Sequence, residues 1–503
     1  MKQITETLDS FLQLDRKLKY YEEAIGLMYW DLRTGAPKQG VDIRSEVIGE
    51  LSAEQFKLAT SAQLGEWLTT LEEQQIFAQL DEVSQTLVTE TRKAYDRNIL
   101  IPAPLYKEYV VLASQSEAKW EEAKENNDFA SFEPYLQKII DYKNQFIDIW
   151  GVTTSRYDTL LDEYEPGMTV TELDRIFGQL RGQLVDLLAR IQASPHQPDR
   201  TFLQQSFPIA AQKQLSLQIL EQMGFNFQAG RLDESVHPFA IGLNPGDVRI
   251  TTRYLEDDVT SALFGTIHEG GHALYEQNIA QRLAHTTLCT GTSMGIHESQ
   301  SRFWENVIGR SRPFWNKNYS KLQSYFPNLQ SISVDQFYRA NNIVEPSLIR
   351  IEADELTYNL HIIIRYELEK MIFNEGLQAK DLPAAWNEKY EQYLGIKPQT
   401  DSDGVLQDVH WSGGDFGYFP SYSLGNMYAA QFAHTMEQHI PAFWSLVADG
   451  NLLPMKDWLT ERIYQYGKLK TPEQLIVDVT GKSLDPTHLV TYLTNKYSDI
   501  YQL

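Results

Sequence analysis

Cysteine is nearly absent from these 503 residues: Cys289 stands alone. That excludes an internal disulfide and any cysteine-rich zinc module, and it points to a reducing compartment, the cytoplasm. Cys289 itself reads as a small buried residue with no redox role. Long apolar runs are missing too, since no stretch approaches the ~18 residues of a membrane-crossing helix and mean hydropathy is −0.39. The first ten residues hold one lysine and no apolar block, so a secretory signal is not expected. Positive charge is the scarcer sign: 44 Lys and Arg against 68 Asp and Glu leave a formal net charge of −24, spread along the chain. Such a field repels polyanions, which excludes nucleic acid and anionic membrane as natural partners.

What is present is enough for a large core. The chain is 42% hydrophobic and 12% aromatic, which argues against disorder. At ~150 residues per domain its length allows three domains or one large helical assembly. Most of it reads as helix. Leu80, Val83, Leu87, Val88, Ala94 and Tyr95 keep 3.6-residue spacing until Ile101 to Pro104 interrupts, and Leu136, Ile139, Ile140, Phe146, Ile147 and Trp150 repeat it. Residues 1–150 are therefore expected to form an N-terminal helical layer and 151–503 the core carrying the site, within one unit. Gly151 and Glu165-Pro166-Gly167 mark the join, with no flexible linker there.

One stretch breaks the helical pattern. HPFAIGL from His237, then Asn244-Pro245-Gly246, then Asp247 to Tyr254 reads as strand, turn, strand. In the second strand Val248, Ile250 and Thr252 share one face, and Asp247, Arg249 and Thr251 the other. The polar face is either solvated or presented to a ligand. A few residues on comes HEGGH, His268 to His272. On a helix the two imidazoles lie at i and i+4, about 6 Å apart, a separation suited to one tetrahedral Zn²⁺. Glu269, one position on, is placed to hold and deprotonate a water. Asp257 and Asp258 suit the helix N-terminus, and Val259, Ala262, Leu263, Ile267 and Leu274 supply an apolar face. Gly270 and Gly271 cost that helix roughly 1 kcal/mol each against alanine, so something must pack or bind close to its backbone.

A third ligand must come from elsewhere. Tyr275 and Asn278 occupy the positions where the extended metzincin pattern needs glycine and histidine. Glu276 lies eight residues from His268, roughly 12 Å along the axis and too far to share an ion. Glu298, 26 residues beyond His272 at the start of an amphipathic segment containing Phe303, Trp304, Val307 and Ile308, is the better candidate. Two histidines and a glutamate leave a fourth position open, the pattern of a catalytic site. His297 points roughly 100° away from Glu298 and reads as a supporting or packing residue.

Hydrolysis at such a site needs an oxyanion donor. His410, in GVLQDVHW (Gly404 to Trp411), and Tyr422, in the glycine- and aromatic-rich loop expected from Ser412 to Gly425, have suitable chemistry. A carboxypeptidase must also grip a terminal carboxylate, best with an arginine. Arg249 and Arg350 stand out, although Asp247 and Asp354 could pair with them instead.

Six segments in order carry a resemblance: HPF (His237 to Phe239), DVRIT (Asp247 to Thr251), HEGGH, HESQ (His297 to Gln300), IRIEAD (Ile349 to Asp354) and GVLQDVHW. Along essentially its whole length the chain resembles the carboxypeptidase Taq (thermostable carboxypeptidase 1) family of HExxH zinc metallocarboxypeptidases. The resemblance implies a mainly α, zincin-type fold with a long substrate groove, like that of neurolysin and angiotensin-converting enzyme, and a small sheet beside the metal helix. It also implies one Zn²⁺ per chain, replaceable by Co²⁺, a homodimer, and broad release of C-terminal residues other than proline. The family's ligands fall on His268, His272 and Glu298, its base on Glu269, and its substrate-binding roles on Arg249, Arg350, Gln407, His410, Tyr422 and the HPF histidine, His237. The peptide is expected along the Asp247 to Thr251 strand, taken as a sheet edge. The rivals are an oligoendopeptidase with the same zinc chemistry, and a non-catalytic peptide-binding protein whose zinc braces two helices.

Overall fold

A computed structural model describes residues 2–152 and 154–503. Helices dominate, and those read from spacing form where the stripes place them. The first stripe lies on Glu82–Leu100, capped by Asp81, whose carboxylate accepts from the Ser84 N–H, and ended just before Pro102. Leu80 falls outside it. The second stripe is the buried face of Phe129–Trp150, which stops at Gly151 in a positive-φ conformation (φ 87°). These N-terminal helices do not stand apart from the rest of the chain. The first, Lys2–Thr34, packs on the sheet, and Phe129–Trp150 packs on the segments that begin at Arg156 and at His410. A groove of about 2,210 Å³ runs between the layer and the core, lined among others by Leu18, Glu22, Tyr106, Ile241, Gly242 and Thr290.

The sheet has three strands, β1 (Gly230–Glu234), β2 (Ala240–Asn244) and β3 (Asp247–Thr252), in the order β1-β3-β2. β2 and β3 form the expected hairpin, with Ala240 opposite Ile250 and Ile241 opposite Arg249. β1, parallel to β3, carries no apolar alternation and was not legible. It overturns one expectation: β3 is the central strand, with both backbone edges already paired, so a peptide cannot add to it. Thr251 does not face a ligand either. It is buried, and its Oγ1 accepts from the Ser235 hydroxyl and the Phe239 N–H, which closes the loop containing the exposed His237.

Below the sheet lies the HEGGH helix, Val259–Gln277. Asp258 caps it, accepting from the N–H groups of Thr260 and Ser261, and the apolar face read from the sequence is buried. The two glycines are close-approach positions. A Cβ at Gly270 would lie 2.7 Å from Leu220 Cδ2, and one at Gly271 would lie 2.6 Å from both Gln300 O and Ser301 Cα. The second helix, Met294–Arg302, therefore touches the first backbone to backbone. Gly271→Ala should destabilise the protein despite alanine's ~1 kcal/mol helix advantage, because the obstructing atoms are main chain; overpacking costs ~1–3 kcal/mol. Denaturant unfolding checks this, and an unchanged midpoint would show that the helices can part.

Candidate metal centre

The helix Met294–Arg302 starts at Ser293, whose Oγ accepts from the Ile296 N–H, and the buried Glu165 carboxylate accepts from the Gly295 N–H. Two caps on one terminus fix the helix that carries Glu298. On its other side the helix Pro420–His439 approaches so closely that a Cβ at Gly425 would lie 2.5 Å from Glu298 Cγ. Glu298 is thus wedged against the HEGGH helix. Its Oε2 lies 3.7 Å from His268 Nε2 and 3.5 Å from His272 Nε2, and one ligand atom from each of the three side chains falls within 4.8 Å of the others. Two imidazoles and a carboxylate converging from two braced helices fit a single divalent cation.

The outer partners suit a cation as well. His268 Nδ1 meets Glu305 Oε2 at 2.9 Å, and His272 Nδ1 meets His297 Nδ1 at 2.6 Å. Arg302 donates to Glu298 Oε1 (2.6 Å), and Arg310 to Glu305 Oε1 (3.0 Å). Burial alone would raise the carboxyls of Glu298 and Glu305; the neighbouring guanidiniums and His268 override it and hold both well below the usual range. Burial pushes His272 down to about 3, so its ring is neutral near pH 7, whereas Glu298 and Glu305 outweigh burial at His268 and raise it. The centre therefore favours positive charge. Glu269 is buried, and among the described residues no protein group hydrogen-bonds to its carboxyl, which burial pushes up to about 7. A cation alongside would bring it back down.

Glu305 sits in a feature the sequence did not announce. Residues Phe303–Gly309 form a wide i→i+5 turn, buried all round, rather than the one-sided helix expected there. Such π-turns are frequent at functional sites. The charged set was readable nonetheless: Glu298, Arg302 and Glu305 lie at i, i+4 and i+7 among Phe303, Trp304, Val307 and Ile308, a polar stripe inside an apolar segment.

The remaining expected residues divide. Arg350 is near the centre: its guanidinium holds Asp408 (Nε to Oδ1 2.9 Å, Nη2 to Oδ1 2.8 Å) and donates to Tyr358 OH (3.1 Å). The Tyr358 ring also stacks under Arg302, whose Cζ is 4.4 Å from its centroid. The pairing weighed for Arg350, with Asp354, does not form: Asp354 accepts from Leu356, Thr357 and Glu345 instead. Gln407 is committed to structure: its Oε1 accepts from the Arg350 and Arg365 donors, and its Nε2 donates to two carbonyls. His410 Nε2 lies 3.3 Å from Tyr422 OH, with the Arg350 guanidinium 5.0 Å over the Tyr422 ring. Tyr422 is on a helix, since the irregular segment expected to run to Gly425 ends at Phe419. Arg249 makes a bidentate pair with Asp247 (2.8 and 2.7 Å) over Trp30, and neither it nor His237 has a described contact with the centre. Cys289 is 2% exposed with its thiol pushed up by burial to about 12.

A helical fold in which an HExxH helix meets a facing glutamate has the arrangement of a metallopeptidase. Comparison with known proteins supplies the rest. A model of the carboxypeptidase Taq (M32) metallopeptidase family matches residues 10–497, and the chain belongs to that family of metal-dependent carboxypeptidases. Carboxypeptidase 1 of Bacillus subtilis (strain 168) is 51% identical over 494 residues, 98% of each chain. Thermostable carboxypeptidase 1 of Thermus thermophilus is 40% identical over 501 residues, again 98% of each. The crystal structure of the M32 carboxypeptidase from Deinococcus radiodurans R1 superposes with a TM-score of 0.96 at 35% identity, covering 99% of this chain and 100% of that one.

Proposed function

We propose a zinc carboxypeptidase of broad specificity that disfavours C-terminal proline, with His268, His272 and Glu298 holding the metal and Co²⁺ able to replace Zn²⁺. The observation that carries this reading is the convergence of those three side chains beside an unpartnered buried Glu269. A divalent cation held there supplies Lewis acidity, lowering the pKa of water and polarising the scissile carbonyl. Glu269 takes the proton of the attacking water at its carboxylate and returns it to the leaving amine. Burial pushes His410 down to about 4, so its ring is neutral near pH 7. With its Nδ1 unpartnered and its proton on Nε2, it donates to the Tyr422 oxygen and leaves the phenol proton for the oxyanion.

Arg350 is assigned the terminal carboxylate in preference to Arg249. It shares Tyr358 with the arginine that holds Glu298, and among the described residues its contacts use three of a guanidinium's five N–H groups. The peptide follows β2 rather than β3, because β2 borders the sheet and its residues 241–243 line the groove. Residues 1–503 act as one catalytic unit, a homodimer in the cytoplasm, with peptides rather than nucleic acid or membrane as partners. Among the described residues no helix is long and apolar enough to cross a membrane.

The test compares one N-acetylated peptide as free acid and as C-terminal amide by mass spectrometry. The free acid should shorten residue by residue from its C-terminus, and the amide should react about 10- to 100-fold more slowly, the worth of ~1.5–3 kcal/mol of charge-assisted hydrogen bonding. Equal internal cuts in both would identify an endopeptidase instead.

A further inference from the structure

The two histidines of the centre are supported differently. Both turn Nε2 toward Glu298 and Nδ1 outward. His268 Nδ1 meets a carboxylate directly, while His272 Nδ1 meets another imidazole, His297. His297 in turn places Nε2 2.9 Å from Glu276 Oε1. If the metal occupies His272 Nε2, the proton of that neutral ring is on Nδ1. His297 must then accept at its own Nδ1 and carry its proton on Nε2, where it donates to Glu276. Only this direction of donation satisfies both contacts with neutral rings. Glu276 is itself anchored: its Oε1 accepts from the Gly291 N–H (3.3 Å) and the Thr290 hydroxyl (3.4 Å). Its Oε2 lies where a Cβ on Gly242 would come within 2.5 Å, and Gly291 makes similar room for the His297 ring.

We propose that His297 and Glu276 are positioning residues, a two-member relay that fixes the tautomer and aim of His272. The inference rests on the reading of His272 as a metal ligand and adds to it what sets that ligand's geometry. Glu276, too far along its helix to bind the ion, thereby acts on it through His297. Outer partners of metal-bound histidines typically change affinity 10- to 100-fold when removed.

The test measures Zn²⁺ affinity by competition with a chromogenic chelator, alongside the melting temperature of the metal-free protein. His297→Phe keeps a ring against Tyr275, whose centroid is 5.2 Å away, and removes both nitrogens. Zn²⁺ affinity should fall about 10- to 100-fold with the metal-free melting temperature little changed. His297→Gln, whose side-chain oxygen can accept from His272 and whose nitrogen can donate to Glu276, should recover most of the loss. A purely structural role predicts the reverse, a lower melting temperature with unaltered affinity. His272→Ala is the control: if it binds Zn²⁺ normally, the ligand assignment itself is wrong, and if it loses Zn²⁺ while His297→Phe does not, the relay is overturned. Should the phenylalanine variant not fold, Glu276→Gln replaces it, with weakened Zn²⁺ binding expected and parental affinity overturning the proposal.

Discussion

Glu269→Gln should lower turnover by about 10²- to 10⁴-fold, the range set by loss of a general base, with Zn²⁺ still bound stoichiometrically. The amide matches the carboxylate in shape, so His268 and His272 keep their places. What disappears is the only buried carboxyl at the centre that no protein group hydrogen-bonds among the described residues. Burying a carboxyl without a partner opposes folding, so the metal-free variant should be at least as stable as the parent chain. Lost activity with undiminished stability separates a catalytic group from a structural one. Single-turnover assays with parallel metal analysis provide the check, and a glutamine variant that retains parental turnover would remove Glu269 from the chemistry.

Asp408→Ala should cost the fold about 3–5 kcal/mol, the usual consequence of removing one partner from a buried ion pair. Asp408 lies between Arg350 and Arg365, 2.8 and 2.5 Å from their Nη2 atoms, with side-chain exposures of 9%, 6% and 0%. Burial alone would raise its carboxyl; the two guanidiniums override this and hold it well below the usual range. A depressed carboxyl stabilises the fold in full above its unfolded pKa, and that contribution declines progressively as pH falls from there through the folded one. The anchor therefore persists in moderate acid. In the alanine variant two buried cations face each other without their anion, and Arg350 loses what aims it, so KM for free-acid peptides should rise along with the fall in stability. Chemical denaturation and steady-state kinetics test both; a stable variant with parental KM would show that Gln407 and Tyr358 suffice to hold Arg350.

The sequence made legible what depends on spacing within one element. HEGGH declared its helix, Asp258 its start, and the paired glycines a close approach that Gly271 makes with Gln300 and Ser301. Glu298 was within reach because distance from the first helix and a helix start restricted the choice. Contacts across elements were less visible. Arg350 meets Asp408, 58 residues away and on another segment, rather than the nearby Asp354. The central position of β3 hung on β1, whose GRLDE carries no period-two signal. Glu305 was missed although its stripe was in view, because an apolar run read as one-sided helix hides a π-turn buried on every side.

The direct backbone contact between the helices that carry the two histidines and Glu298 has a thermodynamic consequence. With Ser301 and Gln300 seated against Gly271, Glu298 cannot swing away from the histidines by side-chain rotation alone; Gly425 and the Arg302 fork close its other exits. The three side chains are thus held in one arrangement before any cation arrives, so little rearrangement, and little of its entropy cost, is left to be met on binding.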